Sequence, residues 1–342
     1  MTDRTGLVVE NLGVAFRGGS LPVVRGVSFR IAPGEAVGLV GESGSGKSLT
    51  ARAILGLLPR GAVTTGRIML DGVSLLDLPP RERVRMRGRR VAMIFQDPMS
   101  SLNPVLRVGE AVAQVIRSHE GVDARTAHAR VIDMLETVGI RDASDRAQAY
   151  PHEFSGGMRQ RIMIAMALAA NPSLLLADEP TTALDVIVQA GILRLVDRLR
   201  RKGSMGLLFV SHDLAVVAQM CNRIAVMYAG QIVEEGPAEA VLARPRMPYS
   251  IGLMESVPGP DRRRRLPAIP GLPPVPGELG RGCTFTPRCP MASEICRAGD
   301  VELVEVAPGQ HARCVKTHEV TRARMVAAAA AIANADRAAH DI

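Results

Sequence analysis

Short apolar, β-branched runs broken by Gly and Pro dominate the first hundred residues: Leu7 to Val9, Val23 to Ile31, Ala36 to Val40 and Val91 to Phe95. Runs of that length between turn formers predict strands. From about Pro98 to Ala170 the apolar spacing lengthens to a helical period, with Ala127, Val131, Leu135 and Val138 on one face. A helical insertion is expected there. Strand signals return at Leu174 to Ala177, Leu207 to Val210 and Ile224 to Met227, separated by an amphipathic helix with the stripe Val188, Ile192, Leu195, Val196 and Leu199. Strand, helix and strand in this order predict an α/β fold with a mostly parallel sheet.

After about Arg244 the pattern dissolves. PGPDRRRRLPAIPGLPPVPG leads into four of the five cysteines, which predicts a separate C-terminal extension, and the Ala-rich stretch Met325 to Ala338 predicts a helix. The longest apolar runs, Ile162 to Ala170 and Met325 to Ala333, are far short of the roughly 20 residues that span a bilayer. The start, MTDRTGLVVE, has no basic region followed by a long apolar stretch, so no secretory signal is expected. The cytoplasm is the expected compartment, where cysteines are reduced thiols or metal ligands.

With 342 residues, 47% apolar and 22% charged, the chain has an ordinary globular composition and is longer than one core usually serves. Its net charge of +8 is unevenly spread: Arg81 to Arg90 holds six arginines against one glutamate, and Arg262 to Arg265 is unbroken. Such blocks contact nucleic acid, anionic lipid or acidic partners, or are solvated loops. Three Tyr, six Phe and no Trp argue against a stacking platform for single-stranded nucleic acid.

GESGSGKS, Gly41 to Ser48, fits G-x-x-x-x-G-K-[ST] between the apolar strand AVGLV and the helix-compatible LTARAILGLL, the context that motif needs. Gly41, Gly44 and Gly46, with Ser43, Ser45 and Leu49, would turn backbone N–H groups toward phosphate oxygens at a helix N-terminus. Lys47 would reach the β and γ phosphates, and Ser48 would hold Mg²⁺. LLLADEP, Leu174 to Pro180, ends a buried strand in two acids, a costly arrangement unless they serve a cation or a reaction. Asp178 is the candidate for Mg²⁺ and Glu179 for polarising an attacking water.

FSGGMRQR (Phe154 to Arg161) between those motifs, TTALD and SHD after them, and Gln96 in IFQDP complete a set that resembles the ATP-binding cassette (ABC) ATPases in order and spacing. The resemblance implies that two such subunits face head to tail and sandwich ATP. Ser155, Gly156 and Gly157 would then grip the γ-phosphate bound by the partner, and one subunit alone should hydrolyse poorly. It further implies that Gln96 touches Mg²⁺ and the attacking water, that His212 contacts the γ-phosphate and that Asp185 lies at the dimer seam. Phe16 is the candidate to stack on adenine. Met158 and Phe154 depart from the common LSGGQ signature but leave its phosphate-binding amides unchanged. MIFQDPMSSLNP, FSGGMRQRIMIAMALA and ADEPTTALDVIVQA are similar to the ATPases of bacterial dipeptide and oligopeptide importers, which include related nickel importers.

GCTFTPRCPMASEIC and a later cysteine place Cys283, Cys289, Cys296 and Cys314 without the close Cys pair usual for structural zinc. The spacing and the resemblance favour a [4Fe–4S] cluster over zinc, with free thiols as the further alternative. Cys221 is expected in the core. The expected organisation is a nucleotide-binding core at 1–97 and 171–245, with a mostly parallel sheet and an N-terminal antiparallel β part, a helical signature subdomain at 98–170, an extension at 246–320 and a tail at 321–342. The implied activity is ATP hydrolysis at the cytoplasmic face of the inner membrane, powering import of peptides, or else of nickel or another small solute. The implied partners are two transmembrane permeases docking near Gln96 to Asn103, a second and distinct ABC ATPase, and an extracytoplasmic binding protein. A soluble ABC ATPase acting on nucleic acid or ribosomes is the rival reading, and no nucleic-acid partner is expected.

Overall fold

The structure, a computed structural model of the chain, describes residues 5–18, 22–181, 184–256, 269–275, 279–321 and 323–325. The arginine run 262–265 and the alanine-rich stretch after 325 lie outside the described residues. In chain order the first elements are β1 (Leu7–Phe16), β2 (Val24–Ile31), β3 (Ala36–Val40), α1 (Lys47–Leu55), β4 (Ala62–Leu70), β5 (Val73–Ser74), α2 (Pro80–Met86) and β6 (Val91–Ile94). The helical insertion follows as α3 (Pro98–Ser101), α4 (Val108–Glu120), α5 (Ala124–Thr137), α6 (Ala143–Arg146) and α7 (Gly156–Leu168). The chain then returns through β7 (Leu174–Asp178), α8 (Val186–Gly203), β8 (Gly206–Ser211), α9 (Leu214–Met220), β9 (Arg223–Tyr228), β10 (Gln231–Pro237), α10 (Ala238–Ala243), α11 (Pro248–Glu255), β11 (Val304–Ala307) and β12 (Gln310–Ala312).

Every residue of β3, β6, β7 and β8 is buried. Such strands read as continuous apolar runs because both faces of a parallel sheet are covered. Alternate side chains serve opposite cores: Leu175, Ala177, Leu207 and Phe209 pack toward the helical side. Leu174, Leu176, Leu208 and Val210 pack toward α1 and the antiparallel sheet β2-β1-β4-β5. Each fully buried Leu, Val or Phe among them contributes about 1.5–3 kcal/mol. The expected stripe of α5 is buried at Ala127, Val131 and Leu135, and Asp123 caps that helix by accepting from Thr126 N at 2.8 Å.

The main sheet has the order β11-β12-β10-β9-β3-β8-β7-β6. It is parallel from β9 to β6 but becomes antiparallel at the other edge, where β10 pairs with β9 and β12. The α/β fold is as expected, with a parallel run in the main sheet and a separate antiparallel sheet formed by the first strands; the antiparallel edge makes the main sheet mixed. The cysteine-bearing extension is not a separate body, because its strands β11 and β12 prolong that sheet. Glu234 of β10, fully buried, pins the junction by accepting from Arg246 N at 2.7 Å, Met247 N at 3.1 Å and Gln310 Nε2 at 2.8 Å. Among the described residues, no helix is long and apolar enough to cross a membrane.

Candidate active site

The strands β3, β8, β7 and β6 are parallel neighbours, so the residues that follow their carboxyl ends gather along one edge, where sheets of this kind bind ligands. The glycine-rich loop follows β3, Gln96 follows β6, Asp178 and Glu179 end β7, and His212 follows β8. Gly41 is required by close approach: an added Cβ would stand 2.1 Å from the Met227 carbonyl oxygen on β9. Gly46 takes φ 104° to start α1, a left-handed turn that glycine makes at least cost.

Lys47 is buried, and its Nζ donates to the loop's own Gly41 and Glu42 carbonyls at 2.8 and 2.9 Å. An ammonium has three hydrogens, which leaves one for a phosphate oxygen. Burial lowers its pKa, opposed by the nearby carboxylates of Glu179, Asp178 and Glu42. The Ser48 hydroxyl donates to Asp178 Oδ1 at 2.7 Å. Burial raises the Asp178 pKa, and the Ser48 hydrogen bond acts against it. A hydroxyl beside a buried carboxylate is a hard oxygen pair that suits Mg²⁺.

Glu179 sits in the left-handed region at φ 48°, a conformation that costs about 1–3 kcal/mol and clusters at functional sites. Gln96 Nε2 donates to its Oε2 at 3.2 Å, and His212 Nδ1 lies 3.2 Å from its Oε1. An open cleft of about 840 Å³ brings Ser43, Gly44, Gly46, Lys47, Ser48 and Leu49 opposite Gln96, Glu179 and His212. Val23, Glu42 and Pro273 also line it. No motif marked Val23 or Pro273, while Glu42 was visible only as a variable position of the phosphate loop. Gly41, Ser45 and Phe16 do not line the cleft. Phe16 ends β1, half-buried.

Ser155, Gly156 and Gly157 open α7 away from that cleft. Ser155 Oγ accepts from Met158 N at 3.4 Å as an N-cap. Ser155 and Gly156 are exposed. Gly157 presses on α8, where an added Cβ would lie 2.6 Å from Val188 Cγ1. Asp185 is exposed and caps α8 through Ile187 N and Val188 N at 3.1 and 2.9 Å. Within one chain the signature segment therefore does not line the cleft of its own phosphate loop.

Cys283, Cys289, Cys296 and Cys314 line one small cavity of about 20 Å³ beside Phe285 and Thr286. Burial pushes the Cys289 thiol up to about 12 and that of Cys314 up to about 11. Among the described residues, no group of His, Cys, Asp or Glu is arranged to hold a metal ion. The four thiols converge, yet the space between them is near that of a single water. Cys221 is buried apart from them, as expected of a core residue.

The basic block 81–90 is neither free surface nor wholly solvated. Arg87 caps α1 by donating to the Leu55 and Gly56 carbonyls at 3.0 and 2.7 Å. Arg83 donates to Leu76 and Leu78, and Arg90 pairs with Asp71 at 2.7 Å.

Residues 24–182 match the family model described as ABC transporter, and residues 233–296 match the one described as oligopeptide/dipeptide transporter, C-terminal region. The chain is 50% identical over 301 residues to a probable peptide ABC transporter ATP-binding protein of Sinorhizobium fredii, covering 86% of this chain and 89% of that protein. The chain belongs to the ABC transporter ATP-binding subunits of oligopeptide and dipeptide type. This ABC subunit is also 46% identical over 320 residues to the oligopeptide transport ATP-binding protein OppD of Mycobacterium tuberculosis. That match covers 92% of this chain but only 52%, about half, of the mycobacterial protein's length. Among solved structures it resembles a dimeric ATP-binding cassette in a post-hydrolysis state bound to ADP and Pi. The TM-score is 0.61 at 28% identity, over 68% of this chain and 98% of that one.

Proposed function

We propose that this chain is the ATPase of an importer of di- and oligopeptides, working at the cytoplasmic face of the inner membrane with two separate permeases. A second, distinct ABC ATPase and an extracytoplasmic binding protein complete the assembly. The observation that carries the ATPase reading is the group formed by Glu179, Gln96 and His212 facing Lys47 across one cleft. The loop 41–49 and Lys47 hold the triphosphate. Glu179 accepts a proton from water as the water oxygen bonds to the γ-phosphorus and the bond to the bridging oxygen breaks. Gln96 and His212 orient Glu179 and the γ-phosphate, and Ser48, Gln96 and Asp178 would hold Mg²⁺. When bound, that ion neutralises charge on the β and γ oxygens.

The exposed Ser155 and Gly156, with Gly157 behind them, serve ATP on the partner cassette through their amides, with Asp185 at the seam, a reading supported by their absence from the lining of their own cleft. The working division of the chain is a core at 1–97 and 171–245, a signature subdomain at 98–170, an extension at 246–320 and a tail. Cys283, Cys289, Cys296 and Cys314 are the ligands of a [4Fe–4S] cluster, a reading supported by an all-thiol donor set around one cavity. The use of Arg83, Arg87 and Arg90 in internal contacts weighs against a nucleic-acid role.

Affinity purification of the tagged chain from gently solubilised membranes tests the reading. Co-recovery of two polytopic permeases, a second ATPase and a binding protein is expected, with peptide uptake on reconstitution. Recovery with ribosomal proteins or DNA alone overturns it, and a binding protein that retains nickel but no peptide changes the cargo.

A further inference from the structure

The second residue of the phosphate loop, Glu42, carries a negative charge on the wall of a cleft meant for a polyanion. Uncompensated, it would oppose phosphate binding, since like charges in a partly desolvated site repel strongly. Arg288, 246 residues away in sequence, supplies the compensation: its Nη1 and Nη2 donate to Glu42 Oε2 and Oε1 at 2.6 and 2.9 Å. The pair is bidentate, the arrangement that makes Arg–carboxylate contacts both strong and directional. The Arg288 side chain is only 4% exposed while Glu42 is 25% exposed, so the guanidinium is fixed by its surroundings and the carboxylate is the partner it aims.

Those surroundings belong to the cysteine segment. Arg288 lies on the turn Thr286–Arg288, between Cys283 and Cys289, and that turn is closed by Thr286 N to Cys283 O and Cys289 N to Thr286 O. Its Nε donates to the Pro270 carbonyl at 2.8 Å, and its guanidinium lies 5.8 Å from the centre of the Tyr228 ring. Phe285 wedges edge-on against Tyr228 and Tyr249. The Tyr249 hydroxyl accepts from Glu42 N at 2.8 Å. Glu42 is thus held at its backbone and at its side chain by groups outside the cassette's own phosphate motif.

Resting on the ATP-site reading above, we propose that Arg288 is a positioning residue of the ATPase: it neutralises and orients Glu42, so that the cysteine-bearing segment sets the affinity of the phosphate loop for nucleotide. The loop's Lys47 then faces phosphate with the Glu42 charge compensated, and displacement of the turn between Cys283 and Cys289 weakens nucleotide binding without touching the reacting atoms.

The test is a MgATP titration and steady-state hydrolysis by the full chain in its assembled transporter. Arg288→Met should raise KM for ATP about tenfold with kcat changed less than twofold, and the loss should shrink at high salt, where screening is stronger. Arg288→Lys, which keeps the charge and loses the fork, should fall between. The decisive variant is Arg288→Met combined with Glu42→Gln, in which removal of the second charge should recover most of the lost affinity. A double variant as weak as Arg288→Met, or an unchanged KM in Arg288→Met, overturns the proposal. If Arg288→Met does not fold, Arg288→Lys alone decides, since an unchanged KM there also contradicts the need for the bidentate pair. Lys47→Ala separates the two levels: normal ATP binding in that variant sinks the ATP-site reading itself, whereas lost binding there with a normal Arg288→Met sinks only the proposal.

Discussion

In the nucleotide cleft, Gln96, Asp178, Glu179 and His212 all stand within two residues of the end of a fully buried strand. The four cysteines stand in coil and single turns, supported by strands of three and four residues at the sheet edge. The first region is positioned by backbone hydrogen bonds between parallel neighbours, which persist whatever the cleft holds. The second is positioned by a few side chains, Glu234, Arg288 and Arg313 among them, the last donating to Ile232 O and Val301 O. A site hung on sheet ends tolerates removal of a reacting group with its geometry intact, while a site hung on side-chain pins loses geometry when any pin is changed.

That contrast is sharpest at Glu179. Glu179→Gln should retain MgATP binding and thermal stability while lowering hydrolysis by about 10²–10⁴-fold, the usual range for a general base; phosphate release and nucleotide titration on the same sample check it. Undiminished turnover would break the assignment.

At the cysteines the expected outcome is the reverse. The anaerobically purified chain should contain about four iron and four sulfide per chain, the composition of one cluster. Cys289→Ser should lose most of the iron and open the segment around 283–314 to proteolysis, leaving the cassette core resistant. Metal analysis finding zinc in place of iron would change the occupant, and finding neither would return the four to plain thiols.

Glu234→Gln should cost about 1–3 kcal/mol, because an amide turns a donor toward buried N–H groups that now point at a carboxylate. Thermal unfolding should shift down by roughly 2–4 °C per kcal/mol for a chain of this class. The smallest effect is expected at Arg67→Ala. Its pair with Glu10, at 3.6 Å between exposed side chains, contributes less than about 1 kcal/mol, so a large destabilisation there would mean that the antiparallel sheet is held differently from the rest of the chain.

Legibility from sequence followed the same division. Ala36 to Val40 is visible as a strand and is one, because a short continuous apolar run with glycine beyond it has few alternatives. The first strand is visible only as Leu7 to Val9 but extends to Phe16, because Asn11 at φ 48° and the register shifts around Leu12 interrupt the alternation that marks a strand. The strands β4, β10, β11 and β12 went unmarked; β4 and β11 are largely exposed and carry too weak an apolar signal. The motif residues of the cleft were legible because each motif is contiguous. Val23 and Pro273, which also line the cleft, carry no motif, since only the folding of distant segments brings them there. The arginine block looked like surface, since nothing local reveals that Arg87 faces the end of a helix thirty residues earlier.

By itself the sequence determined the phosphate loop, the paired acids, the helical insertion and the four-cysteine segment, since each is encoded in a stretch short enough for local sterics and hydrogen bonding to dictate its form. Only the tertiary structure decided that Glu179 meets Gln96 and His212, that the extension completes the main sheet, and that Arg288 closes on Glu42. Those contacts join residues from tens to hundreds of positions apart, and what brings them together is the burial of apolar strands side by side, a property of the whole chain that no single segment carries.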